Sequence, residues 1–222
     1  MLTLLTGAAA GLFHVLSGPD HLTAVAPLAV DDRERGWLAG FTWGVGHASG
    51  VVVVAVIAVL LRELLPSLDI ISAWGERLVG AALIGIGLWA LRRRARVEAS
   101  PHRHGHMSHN HLHVQAGPVW IRRIGHAHAS FCLGVLHGVA GSSHFFGVLP
   151  ALALPSASAA LMYISAFGVG TVVAMTAFAA AVGLLGVRSS PNPRLHRAMM
   201  SVAAALAMLV GGVWLIAPLT SG

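Results

Sequence analysis

The chain has 222 residues, 56% of them hydrophobic and 10% charged, with a formal net charge of +6. That apolar excess excludes a soluble globular domain and makes the chain an integral membrane protein, with the lipid bilayer as its surroundings. All fourteen basic residues are arginines at or between the ends of apolar runs, which argues against a nucleic-acid partner, and the sole cysteine, Cys132, excludes an intramolecular disulfide.

Apolar runs of ~20 residues mark spanning helices, and six are present, over 3–30, 37–61, 72–91, 127–154, 157–187 and 198–218. The first is longer than the about 7 to 15 apolar residues of a signal-peptide core, so it is expected to be retained. Its centre, GLFHVLSGPDHLTAVAPLA at 11–29, holds His14, Asp20 and His21. An ionisable group at membrane depth costs ~2.5 to 3.5 kcal/mol on insertion scales and persists where it pairs, lines a cavity or binds something. Of the eight carboxylates, the other seven fall at the ends of apolar runs or between them, so Asp20 is the one expected inside the bilayer.

His14 and His21 are seven residues apart, about 20° short of two helical turns, which leaves both on one face of a regular helix. Pro19 after Gly18 predicts a break instead, because proline lacks a backbone donor and disfavours helical geometry just before it. Such breaks are tolerated at membrane depth where the freed backbone faces protein or a wet cavity, and in transporters they sit at the substrate site. A simpler reading has Asp20 only complementing the positive end of a half-helix that starts at Pro19. It leaves the two histidines unexplained.

The second run places His47 near mid-membrane, among small residues at Gly40, Gly44, Gly46, Ala48 and Gly50 that let helices approach closely. The third has no polar interior residue and reads as scaffold, closed by Arg92, Arg93 and Arg94. Residues 95–125 form the long loop, with His102, His104, His106, His109, His111 and His113 as a candidate metal-binding tract without a fixed fold.

The fourth run repeats the first at a constant offset of 123, pairing Gly11 with Gly134, His14 with His137, Gly18 with Gly141, His21 with His144 and Pro27 with Pro150. The fifth echoes the second through Gly44-Val45-Gly46 and Gly168-Val169-Gly170, with Thr171 in place of His47. The sixth and third both end in a Gly-x-Trp element. These matches predict an all-α membrane protein of six transmembrane helices. They form two inverted three-helix repeats, 1–94 and 126–222, with interrupted first and fourth helices. Arginine counts on alternate sides put both termini outside the cytoplasmic (inner) membrane and the histidine-rich loop in the cytoplasm.

The buried polar set is therefore His14, Asp20, His21, His47, His137 and His144, with Ser142, Ser143 and Thr171 as weaker candidates. Imidazoles with one carboxylate and no thiolate suit nickel, cobalt, zinc or copper(II) rather than magnesium or calcium. A competing reading makes the histidines a proton relay of a metal-independent anion exporter. Another, an intramembrane protease, lacks a His-Glu-x-x-His helix and would rely on Ser49, Ser142 or Ser143.

His14 through His21 together with Gly44-Val45-Gly46-His47 resembles the nickel/cobalt transporter family, and GPDHLTAVAPLA resembles its short six-span, urease-accessory (UreH-like) branch. The family pattern has four residues between the first histidine and the Asp-His pair, whereas VLSGP makes five. The resemblance implies a non-enzymatic permease for nickel or cobalt without a resident cofactor. His14, Asp20, His21 and His47 would select the ion, and cytoplasmic nickel-handling proteins would be partners. Uptake is the favoured direction. The histidine-rich loop resembles the efflux branch of the same superfamily and keeps efflux as the alternative.

Overall fold

The computed structural model describes residues 1–61, 68–95, 97–104, 107–114, 119–140, 150–151, 153–189 and 191–220. In chain order these form α1 (Leu2–Ser17), α2 (Pro19–Asp31), a 3-10 turn (Arg33–Arg35), α3 (Gly36–Leu61), α4 (Leu68–Ala95), β1 (Val97–His104), β2 (Met107–Val114), α5 (Val119–Ala140), α6 (Ala157–Arg188) and α7 (Pro193–Thr220).

Among the described residues, Arg33–Val54, Ala157–Arg188 and Pro193–Ile216 are each long and apolar enough to cross a bilayer. The pair α1 and α2 makes a fourth crossing if taken as one span bent by 74°. The chain is a multi-pass membrane protein. Its outer surface agrees, exposing Phe13, Leu16, Leu161, Val169 and Leu209, each by more than 60%, an apolar coat that lipid covers and water would not.

The six-run expectation is met in part. Helix α4 carries its apolar stretch, Leu78–Leu91, between Glu76 and Arg77 on one side and Arg92, Arg93 and Arg94 on the other. Within the fourth run, Ala127–Ala140 is a shorter apolar helix. The expected break near 141–149, with Ser142, Ser143 and His144, lies outside the described residues. The loop differs from the expectation of no fixed fold. Strands β1 and β2 pair antiparallel, with His102 opposite His109, Ser100 opposite His111 and Glu98 opposite His113. The pairing gives the peptide groups of this largely polar tract their partners locally.

Helix α3 packs against α5 and α6, α1 against α6, and α4 against α7. Glycines set the α1–α6 and α3–α5 seams. A Cβ on Gly11 would collide with the Phe167 carbonyl, and one on Gly134 with the Trp43 carbonyl. Likewise Gly46 abuts the Phe131 carbonyl and Gly170 that of Ala8. These contacts come in two matched couples: each residue in the α1–α6 seam lies 123 or 124 positions from its counterpart in the α3–α5 seam. Small residues allow backbones to meet where, in lipid, close packing rather than water exclusion drives association.

At the arginine-rich end, Arg93 Nε on α4 donates to Asp31 Oδ1 on α2 at 2.7 Å, with side-chain exposures of 10% and 3%. Removing one partner of a buried pair strands the other charge at a cost of about 3 to 5 kcal/mol, whereas replacing both with apolar groups of similar size is close to neutral. Arg93→Ala should therefore lower unfolding stability in detergent by about that amount. The pair Arg93→Met with Asp31→Leu should regain most of it. Thermal unfolding of the three proteins side by side checks this.

Candidate metal centre

The site begins at the break between α1 and α2. Gly18 leaves α1 with extended backbone (φ −94°, ψ 100°), and Pro19 opens α2, where its missing N–H costs nothing. At the end of α1 the Gly18 N–H donates to the His14 and Val15 carbonyls, and within α2 Thr23 Oγ1 donates to the Pro19 carbonyl at 2.8 Å. Gly18 is required for a second reason: a Cβ there would overlap the His21 ring and come within 2.9 Å of Asp20 Oδ1. On an unbroken helix Asp20 would point away from the His14 face. The 74° bend instead folds the first turn of α2 over the end of α1.

Asp20, His21, His47 and His137 are all at most 3% exposed, and His14 is half-buried. His21 Nδ1 lies 2.9 Å from Asp20 Oδ1, and His137 Nε2 lies 2.9 Å from Asp20 Oδ2. A carboxylate can only accept, so the neutral His21 tautomer consistent with this contact carries its proton on Nδ1. Its Nε2 lone pair then faces His14 Nε2 at 3.0 Å. His47 closes the group, its ring centroid 5.6 Å from that of His14 and 5.2 Å from that of His21.

These side chains form two overlapping triads, His14–His21–His47 and Asp20–His21–His137, whose ligand atoms lie within 4.8 Å of one another. Two imidazole nitrogens bound at ~2.0 to 2.1 Å to one tetrahedral ion stand ~3.3 Å apart. The 3.0 Å between His14 and His21 is close to that spacing. The donor set is imidazole with one carboxylate, which fits a borderline divalent ion and gives magnesium or calcium too few oxygens. Asp20 can also act behind His21, where a carboxylate on the far ring nitrogen orients a ligating imidazole and raises its basicity.

Five of the six sequence candidates thus meet: His14, Asp20 and His21 from the broken span, His47 from α3 and His137 from α5. The sixth, His144, lies outside the described residues, as does His106 of the loop. His102 and His104 lie on β1, and His109, His111 and His113 on β2. Thr171 is fully buried on α6, beside the backbone of Gly11. Ser49, a candidate nucleophile, is an exposed residue whose hydroxyl donates to its own helix at Val45 O, 2.8 Å away.

Aromatic side chains were not foreseen. Fully buried Trp43 stacks on His47 with centroids 4.9 Å apart and planes 9° from parallel. Phe167 stands 5.4 Å from His14, and Trp214 stands 6.1 Å from His137. Only the first had a signal in the sequence, since Trp43 and His47 are four apart and so share a helix face.

Residues 7–214 match the model of the cytochrome C biogenesis protein transmembrane region family. The chain belongs to that family. It is 36% identical over 181 residues to Chloroplast protein FOR GROWTH AND FERTILITY 1 of Arabidopsis thaliana, covering 80% of this chain and 48% of that one. It is 34% identical over 182 residues to Chloroplast protein FOR GROWTH AND FERTILITY 2 of the same plant, covering 80% and 46%. The chain therefore spans about half the length of these two relatives. It is also 29% identical over 217 residues to the Urease accessory protein UreH of Bacillus sp. (strain TB-90), covering 95% of this chain and 90% of that protein. No solved structure matches. Although the family description names cytochrome C biogenesis, Cys132 is the sole cysteine, so no thiol pair within this chain can cycle through a disulfide.

Gly18→Ala tests the break directly. The added methyl must displace the His21 ring, and overpacking of this kind costs about 1 to 3 kcal/mol. The expected outcome is a modest loss of thermal stability with a larger loss of affinity for a divalent transition-metal ion at this candidate centre, read by titration calorimetry on the same sample.

Proposed function

We propose that this protein is a permease that carries a divalent transition-metal ion, nickel or cobalt, across the cytoplasmic membrane, and that it is not an enzyme. The observation that carries this reading is the convergence of four imidazoles on one buried carboxylate at a helix break. Buried ionisable groups at membrane depth mark ion or substrate pathways, and interrupted helices mark the binding point in secondary transporters. The motif's resemblance to the nickel/cobalt transporter family and the similarity to a urease accessory protein over 95% of the chain support nickel as the ion. Uptake is the favoured direction. The histidine-rich segment is the observation that favours efflux as the second reading.

The proposal includes six crossings in two inverted repeats, both termini outside and the histidine-rich loop in the cytoplasm. Supporting it are the 123-residue offset and the matched seams, in which α1 meets α6 as α5 meets α3. An axis relating the halves would carry each seam onto the other. Arg92, Arg93, Arg94, Arg188, Arg194 and Arg197 gather on the side assigned to the cytoplasm.

Radiometal flux into proteoliposomes is the deciding experiment. Asp20→Asn keeps the volume and removes the negative charge that offsets the cation, so nickel flux should fall to background while the protein stays folded. Flux at the wild-type rate would overturn the reading. Ligating imidazoles must be neutral, so nickel binding should weaken as pH falls through the imidazole range near ~6.5, by about tenfold per pH unit for each proton displaced. Deleting 102–113 should leave flux in place and change only its rate or its metal threshold, because a tract in the loop concentrates ions without forming a gated path.

A further inference from the structure

We infer that the cluster holds two overlapping cation positions that share His21 and are filled one at a time. The inference rests on the reading of the cluster as the metal pathway and concerns how the ion moves through it. The first position lies among His14 Nε2, His21 Nε2 and His47; the second lies among His21 Nδ1, Asp20 and His137 Nε2. They stand on opposite edges of one fully buried imidazole ring.

Exclusivity follows from that ring. A neutral imidazole has one lone pair and one N–H, so an ion held by Nε2 leaves the proton on Nδ1, where it is donated to Asp20 Oδ1. An ion held by Nδ1 leaves the proton on Nε2, which then points at His14 Nε2, 3.0 Å away. Each state thus finds a ready acceptor for the His21 proton. In moving from the first position to the second, the ion exchanges the nitrogens of His14 and His47 for Asp20 and His137. His21 passes its proton from Nδ1 to Nε2, and His137 passes its own from Nε2 to Nδ1. No proton is gained or lost.

The two positions differ in charge. The first has three neutral donors and one half-exposed member, His14; the second includes the carboxylate and is wholly buried. An ion is therefore met by neutral ligands at one and by a compensating charge at the other. A single deep site with all five ligands would instead hold the ion against release.

The test is titration of the purified full chain in detergent with cobalt(II) alone, read by its visible ligand-field absorption. Wild type should bind one ion per chain. His14→Ala with His47→Ala should still bind one, with a spectrum of mixed nitrogen and oxygen ligation. Asp20→Asn with His137→Ala should still bind one, with a spectrum shifted the opposite way. His21→Ala touches both positions and should weaken binding by ~100-fold or more, the upper end of the loss seen when a site's ligand support is removed. Both double variants should lose flux. Should either double variant fail to fold, His47→Asn and His137→Asn, which keep polarity and bulk, give the same opposed spectral shifts. Two ions in wild type, or loss of binding in either double variant as severe as in His21→Ala, would overturn the two-position inference while leaving the metal reading intact. No cobalt or nickel binding by wild type would overturn both.

Discussion

A carboxylate placed among membrane helices has to be answered by donors, and the rest of this site follows from how Asp20 is answered. Each of its oxygens meets one imidazole nitrogen at 2.9 Å, His21 from the next residue and His137 from a different helix. The first contact is local and follows from the broken helix. The second is tertiary and fixes where α5 must run. Because His21 is held through Nδ1, its other nitrogen is aimed at His14, and the chain of contacts continues outward to a less buried residue. One charge thus organises ligands from three helices, at a position where leaving it unanswered costs several kcal/mol.

The glycine seams make this geometry reachable. His47 and His137 come from α3 and α5, whose backbones meet where Gly134 lies on the Trp43 carbonyl and Gly46 on that of Phe131. Any side chain at either glycine would hold the helices apart and open the triads. The corresponding seam between α1 and α6 positions His14 against Phe167. Aromatic plates then limit ring rotation: Trp43 lies flat on His47, and Trp214 stands near His137. The apolar walls also keep the local dielectric low, which strengthens charge interactions within the site.

Away from the centre, the Asp31–Arg93 pair joins the far end of α2 to α4. The half-helix that carries Asp20 and His21 in its first turn is therefore fixed at its last turn by a buried ion pair. At the 123-residue offset the counterpart of Asp31 is Leu154, so the second half of the chain has no equivalent carboxylate. The asymmetry matches that of the centre, where Asp20 corresponds to Ser143. Both carboxylates lie in the first half.

The sequence by itself determined the membrane class, the break at Gly18-Pro19 and the candidate ligands. Those rest on composition, on proline chemistry and on the cost of burying ionisable groups, all of which act locally and are written in residue types. The offset of 123 was legible for the same reason, since histidines are rare in apolar spans. Tertiary structure alone decided which histidine answers which oxygen of Asp20, that His21 belongs to both triads, and that Phe167 and Trp214 stand beside His14 and His137. It also decided that Asp31 is buried against Arg93, whereas the sequence had placed Asp31 at a run's end with nothing to name its partner 62 residues on. The hairpin over the histidine tract was hidden as well, because the apolar alternation of its strands is brief, Val97, Ala99 and Pro101 in one and Leu112 and Val114 in the other, and a proline within a run argues against a strand. Periodicity reports which face a residue occupies; which other helix comes to meet that face depends on close packing between distant segments, and no local pattern encodes it.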